Sequence, residues 1–137
     1  MTSENEATAR SALAAFSRGD LDACLATLAP DVEWHIAFRI PDLPPDVTVL
    51  HGHDSVRELW KAFRSAWDEL TVEIEEVLHD ADDVLVARAR FHGRGAGSGI
   101  EIDRMMFYVL DLDEGLLTTI RPFDDLEEAR RAAGLRE

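Results

Sequence analysis

What this chain lacks narrows its chemistry first. A single cysteine, Cys24, leaves no partner for an internal disulfide. Basic residues are scarce, with 14 Lys and Arg against 28 Asp and Glu and a net charge of −14. Such a surface repels phosphate backbones and anionic headgroups, which argues against nucleic acid and against a membrane surface as partners. No apolar run approaches the roughly 18 residues that a bilayer span requires. The opening MTSENEATAR has neither the basic nor the apolar region of a signal peptide, so the expected location is the cytoplasm. Repeats and linker-like stretches are missing too, and 137 residues make one domain, 1–137.

What is present is the makings of a packed core. An apolar content of 46% beside 31% charged residues is that of a globular chain, not a disordered one. Residues 7–18 place Leu13, Ala14 and Phe16 at helical spacing, and Gly19-Asp20 stops that helix and caps a second over 21–29, striped by Leu21, Cys24, Leu25 and Leu28. Residues 32–38 alternate, with Val32, Trp34, Ile36 and Phe38 on one face, which predicts a half-buried strand. Pro41, Pro44 and Pro45 make 39–53 an irregular connection. A capping box, Ser55 to Glu58, opens a helix whose apolar face is Val56, Leu59, Trp60, Phe63 and Trp67. Residues 70–79 read as a strand with Val77 out of phase, as at a bulge.

The second half is organised around residues 84–124, three strand-like runs separated by two turns. One turn is the glycine-rich stretch 93–99, and the other is Asp113-Glu114-Gly115. Consecutive hairpins give an antiparallel meander, and a last helix follows on Leu126, Ala129, Ala132 and Ala133. The order predicts an α+β fold with helices on one face of an antiparallel sheet.

With that order, the chain resembles the nuclear-transport-factor-2-like superfamily of ketosteroid isomerases and SnoaL-like polyketide cyclases, and is most similar to SnoaL-like domain proteins. The carriers are Gly19-Asp20 before Leu21, Ala29-Pro30-Asp31-Val32-Glu33-Trp34, Leu50-His51-Gly52, Asp113-Glu114-Gly115, Phe123-Asp124 and Ala133-Gly134-Leu135. The resemblance implies a cone-shaped curved sheet over three N-terminal-half helices, an interior apolar pocket and a short C-terminal helix. It also implies a homodimer through the outer sheet face. Matched position by position, the base of the ketosteroid isomerases falls on Trp34, their oxyanion tyrosine on Ala12 and their protonated aspartate on Tyr108. Steroid isomerisation is therefore not the expected activity.

Candidate site residues follow from the faces. On the strand of residues 100–110, Ile100, Ile102, Arg104, Met106, Tyr108 and Leu110 share one side, apolar but for Arg104 and the Tyr108 hydroxyl. That side is expected to face the pocket, with Arg104 and Tyr108 as donors to a ligand oxygen. Arg104 paired with an interior carboxylate and Tyr108 as plain core is the alternative. Asp124 stands near the acid/base aspartate expected of SnoaL-like cyclases, though Pro122 competes for that place and a helix N-cap role fits Asp124 as well. Trp34, Leu59, Trp60 and Phe63 are the expected wall, unless they simply pack. His51-Gly52-His53 with Glu58 matches the first metal motif of cupins, otherwise being loop residues. Arg88, Arg90 and His92 line an outer strand face, and Cys24 reads as small core.

Two functions stay open. One is a cofactor-independent acid/base enzyme on a small, mostly apolar molecule, of cyclase, isomerase, hydratase or epoxide hydrolase type. There Asp124 would move the proton while Tyr108 and Arg104 hold an oxyanion. The other is a non-catalytic module of the same fold that binds a ligand or a partner chain.

Overall fold

The computed structural model describes residues 3–36, 48–81 and 83–134. Ala37, Phe38, the connection bearing Pro41, Pro44 and Pro45, and Leu135 lie outside the described residues. The first helix, α1 (Glu4–Arg18), starts where Ser3 accepts the Glu6 N–H at 3.0 Å, and ends on Gly19 at φ 82°, a conformation that suits glycine. Asp20 caps α2 (Leu21–Leu25), which stops short of the residues 21–29 expected for it. The Thr27 hydroxyl donates to the Cys24 carbonyl at 2.6 Å, and Leu28 opens β1 (Leu28–His35) by pairing with Leu117. A long-range strand partner thus claims residues whose local stripe reads as helical.

Two strands and a helix then follow without loops between them: β2 (Val49–His51), α3 (Gly52–Ala66) and β3 (Trp67–Ala81). Helix α3 begins a turn before the Ser55 capping box. His51 is its N-cap without a side-chain bond, and the His53 ring, 3.0 Å from the Leu28 carbonyl oxygen, ties the first turn to β1. Strand β3 exceeds its expected length because β4 (Val84–Gly95) pairs along it from Trp67 to Ala81, with register shifts on either side of Val77. The chain closes with β5 (Glu101–Asp113), β6 (Leu116–Phe123) and α4 (Leu126–Ala132). Glu114 and Gly115, at φ 51° and 80°, turn β5 into β6 as a tight hairpin.

The curved, unclosed six-stranded sheet runs β2-β1-β6-β5-β4-β3. It is antiparallel except between β1 and β6, which run parallel because both start at the same end, Leu28 beside Leu117. The concave face carries Leu70, Val72, Leu85, Phe91, Met106 and Leu110 against Leu13, Phe16, Val56 and Leu59 of α1 and α3. Helix α4 departs from the single-face expectation. It lies on the convex side, where Ala129 covers Val86 and Val109. Elsewhere that side holds cross-strand ion pairs, Arg88–Glu76 at 2.9 Å, Arg94–Glu69 at 2.6 Å and Arg90–Asp103. The edge of β3 is covered by α1. Arg10 donates to the Ile74 carbonyl at 2.7 Å, and the Val72 N–H donates to Ser17 Oγ at 2.8 Å.

Candidate functional site

The curvature leaves a cavity between the concave face and the helices. Leu13 and Phe16 of α1, Leu59 and Phe63 of α3, and Leu70 and Val72 of β3 form part of its wall. Trp34, His35 and Ile36, with Phe91, Tyr108 and Pro122 on β4, β5 and β6, complete it. The rings interlock, with Phe16 5.1 Å from Trp34 and 5.7 Å, edge-on, from Phe63. Space that a water can occupy amounts to about 30 Å³, against about 440 Å³ of non-atom space when the opening to solvent is counted. The cavity is therefore narrow, with room for about one water.

Two titratable side chains, Tyr108 and His35, belong to this otherwise largely apolar wall. Tyr108 is 7% exposed, and among the described residues nothing hydrogen-bonds its hydroxyl. Burial raises its pKa well above the ordinary phenol value, so it stays protonated and can donate. His35 also lines the cavity. Its Nε2 lies 3.8 Å from Glu33, and burial lowers its pKa, with Glu33 opposing and Arg121 and His51 adding to the fall.

Arg104 shares the concave row with Tyr108 and sits opposite Phe91 in register, at the cavity's edge rather than in its wall. Its Nη2 is bonded to Asp124 Oδ1 in a pair whose side chains are 40% and 68% exposed. Asp124 does not cap α4. Asp125 does, accepting the Glu127 N–H at 3.2 Å. Tyr108 pairs with Pro122, so Pro122 rather than Asp124 enters the wall.

Of the expected wall, Trp34, Leu59 and Phe63 line the cavity, whereas Trp60 and Met106 do not. Met106 is sealed in the core behind it. Trp60 turns toward Gly19, under the Arg64 guanidinium 5.4 Å from its ring, and its buried Nε1 has no partner among the described residues. Leu13, Phe16, Val72 and Phe91 line the cavity beyond the residues expected from the sequence. Their apolar periodicity marks them as inward-facing, and which inward residues border unfilled space is a matter of volume.

His51 and His53 are spread over β2 and the first turn of α3. Among the described residues no group of three or more His, Cys, Asp or Glu is placed to hold a metal. Cys24 is buried, and burial pushes its thiol up to about 12, which leaves no thiolate for chemistry. Among the described residues no helix is long and apolar enough to cross a membrane.

A family model for the SnoaL-like domain matches residues 9–120. No curated protein matches the chain significantly. Similar solved structures include an NTF2-like protein of unknown function from Burkholderia pseudomallei, 24% identical with a TM-score of 0.74 over 96% of this chain and 98% of that one. A protein of ketosteroid isomerase-like fold from Catenulispora acidiphila, in complex with trimethylamine, is 15% identical with a TM-score of 0.72 over 94% and 93%. A Mycobacterium tuberculosis protein in complex with estradiol-17β-hemisuccinate is 20% identical with a TM-score of 0.74 over 92% and 97%. At these identities the likeness shows the NTF2-like cone fold.

Proposed function

The chain belongs to the SnoaL-like domain family, and from that premise we propose that its concave pocket binds a small, mostly apolar metabolite through an oxygen that Tyr108 hydrogen-bonds. The observation that carries this reading is the Tyr108 hydroxyl, unpartnered among the described residues and set among aromatic and aliphatic walls. The hydroxyl is not sealed from water, and a ligand carbonyl or hydroxyl would give it an acceptor inside the apolar wall. The Mycobacterium tuberculosis neighbour, crystallised with a steroid derivative, supports the same use of the fold. Because the cavity is narrow, a ligand larger than a water must move wall side chains, and its apparent affinity carries that cost.

The test is a titration with a neutral bicyclic aromatic ketone such as tetralone, read by tryptophan fluorescence and by melting temperature. Binding is expected, weakened about tenfold in Tyr108→Phe, the loss of one hydrogen bond in a dry site. Absence of binding to tetralone and related neutral ketones, or a Tyr108→Phe variant that binds equally well, would overturn the assignment.

A second reading of the same pocket is acid/base catalysis without a cofactor, with Asp124 moving the proton and Tyr108 steadying the oxyanion. It is favoured by the position of Asp124 just beyond the cavity wall, two residues after Pro122. Unchanged turnover of a discovered substrate in Asp124→Asn would sink it. We also propose that the convex face of β3, β4 and β5 left uncovered by α4 associates with a second copy. Met105 is 43% exposed there among the arginine–carboxylate pairs. A monomer mass in solution at micromolar concentration would refute this.

A further inference from the structure

Resting on the pocket reading above, we propose that the mouth of the cavity selects ligands bearing a carboxylate, which Arg104 takes up in exchange for Asp124. Arg104 is the only charged member of the inward row Ile102, Arg104, Met106, Tyr108 and Leu110. Its register partner Phe91 is a cavity wall. The guanidinium therefore adjoins the wall without lining it, within reach of the outer end of an apolar ligand.

Asp124 occupies the place such a carboxylate would take. Its side chain is 68% exposed, and the helix cap it might otherwise provide is made by Asp125. An ion pair this exposed contributes little to folding, so returning Asp124 to water is nearly neutral. A ligand carboxylate would keep the guanidinium paired while bringing an apolar body into the cavity. Elsewhere the chain, at a net charge of −14, repels anions, which makes this pairing the specific attraction. Tyr108 and Arg104 lie four residues apart on one strand, about 13 Å at the usual rise. That spacing and the two donors define the class, an apolar molecule with an oxygen acceptor at its deep end and a carboxylate at the other.

The experiment compares a tetralone carboxylic acid with its primary carboxamide, by fluorescence titration and melting temperature, at low and high salt. The acid is expected to bind about tenfold tighter than the amide in the native protein, the gain of one charge-assisted bond. Arg104→Gln should bring that ratio to about one, and Arg104→Lys should retain part of it. Asp124→Asn, which removes one competing carboxylate at an exposed position, should widen it a few-fold. Tyr108→Phe should weaken acid and amide alike. Equal binding of acid and amide, or an acid preference that survives Arg104→Gln, overturns the carboxylate inference and leaves the pocket reading standing. Failure of both compounds to bind overturns the pocket reading itself.

Discussion

Replacing Tyr108 by Phe should make the unliganded protein more stable while making it a poorer binder. In the structure the hydroxyl faces the cavity with no bond from the described residues, and the residue is 7% exposed. A hydroxyl wholly sealed from water and unbonded would cost about 1–3 kcal/mol relative to an apolar group of the same shape, and the Tyr108 hydroxyl is not wholly sealed. The residual exposure admits some contact with water, which argues for the low end, about 1 kcal/mol. With an unfolding entropy of roughly 0.3 kcal/mol/K for a chain of this length, the melting temperature should rise by about 3–4 °C. Guanidinium unfolding followed by far-ultraviolet circular dichroism gives the free energy, and calorimetry gives the melting point. A loss of 1 kcal/mol or more would mean that the hydroxyl is bonded in the native state, and the case for a waiting ligand oxygen would collapse.

Tyr108 is the chain's only tyrosine, so phenolate absorbance reports on it alone. Burial raises its folded pKa, so the associated stability is complete below the unfolded value near pH ~10 and is lost as pH rises from there toward the folded value. The absorbance should therefore stay flat through pH ~10 and rise only with unfolding. An early titration at the ordinary phenol value would show an open, hydrated phenol.

Three further outcomes follow from particular contacts. A Cβ added at Gly93 would lie 2.9 Å from the Trp67 ring and 3.2 Å from the Glu69 carbonyl oxygen, so Gly93→Ala should cost about 1–3 kcal/mol in denaturant unfolding. Unchanged stability would show that the Trp67 ring yields freely. The Cys24 thiol, pushed up to about 12 by burial, should react with Ellman's reagent at pH 8 at least ~100-fold slower in the native than in the unfolded protein; equal rates would refute its burial. His35 should titrate below the ordinary 6.5 by NMR, and lower still in Glu33→Gln, since Glu33 is the neighbour that pulls it up. Its folded pKa is depressed, so the associated stability is present above pH ~6.5 and is lost as pH falls through the folded value. An upward move in Glu33→Gln would contradict the assigned cause.

Much of the fold is legible from local pattern. Apolar spacing on α3, the alternation of residues 100–110 and the Asp113-Glu114-Gly115 turn each specify an element whose partner matters little. Where reading fails, a distant partner has intervened. Leu28 belongs to a helical stripe in the sequence yet pairs with Leu117, and Ser55 begins a capping box that lies inside a helix already started at Gly52. The site behaves likewise. Alternation places Arg104 and Tyr108 on one face, as the sheet has them, but says nothing of which acid sits beside Arg104 or which neighbour lies opposite Tyr108.

By itself, then, the sequence determined most of the elements and the inward face of β5, because periodicity and turn chemistry act over a few residues. Only the tertiary structure decided that Pro122 lies across from Tyr108, that Asp124 answers Arg104, that Trp60 turns to Gly19 and that the cavity is narrow. Those depend on strand register and on the volume left between packed side chains, and neither quantity is written at any single position.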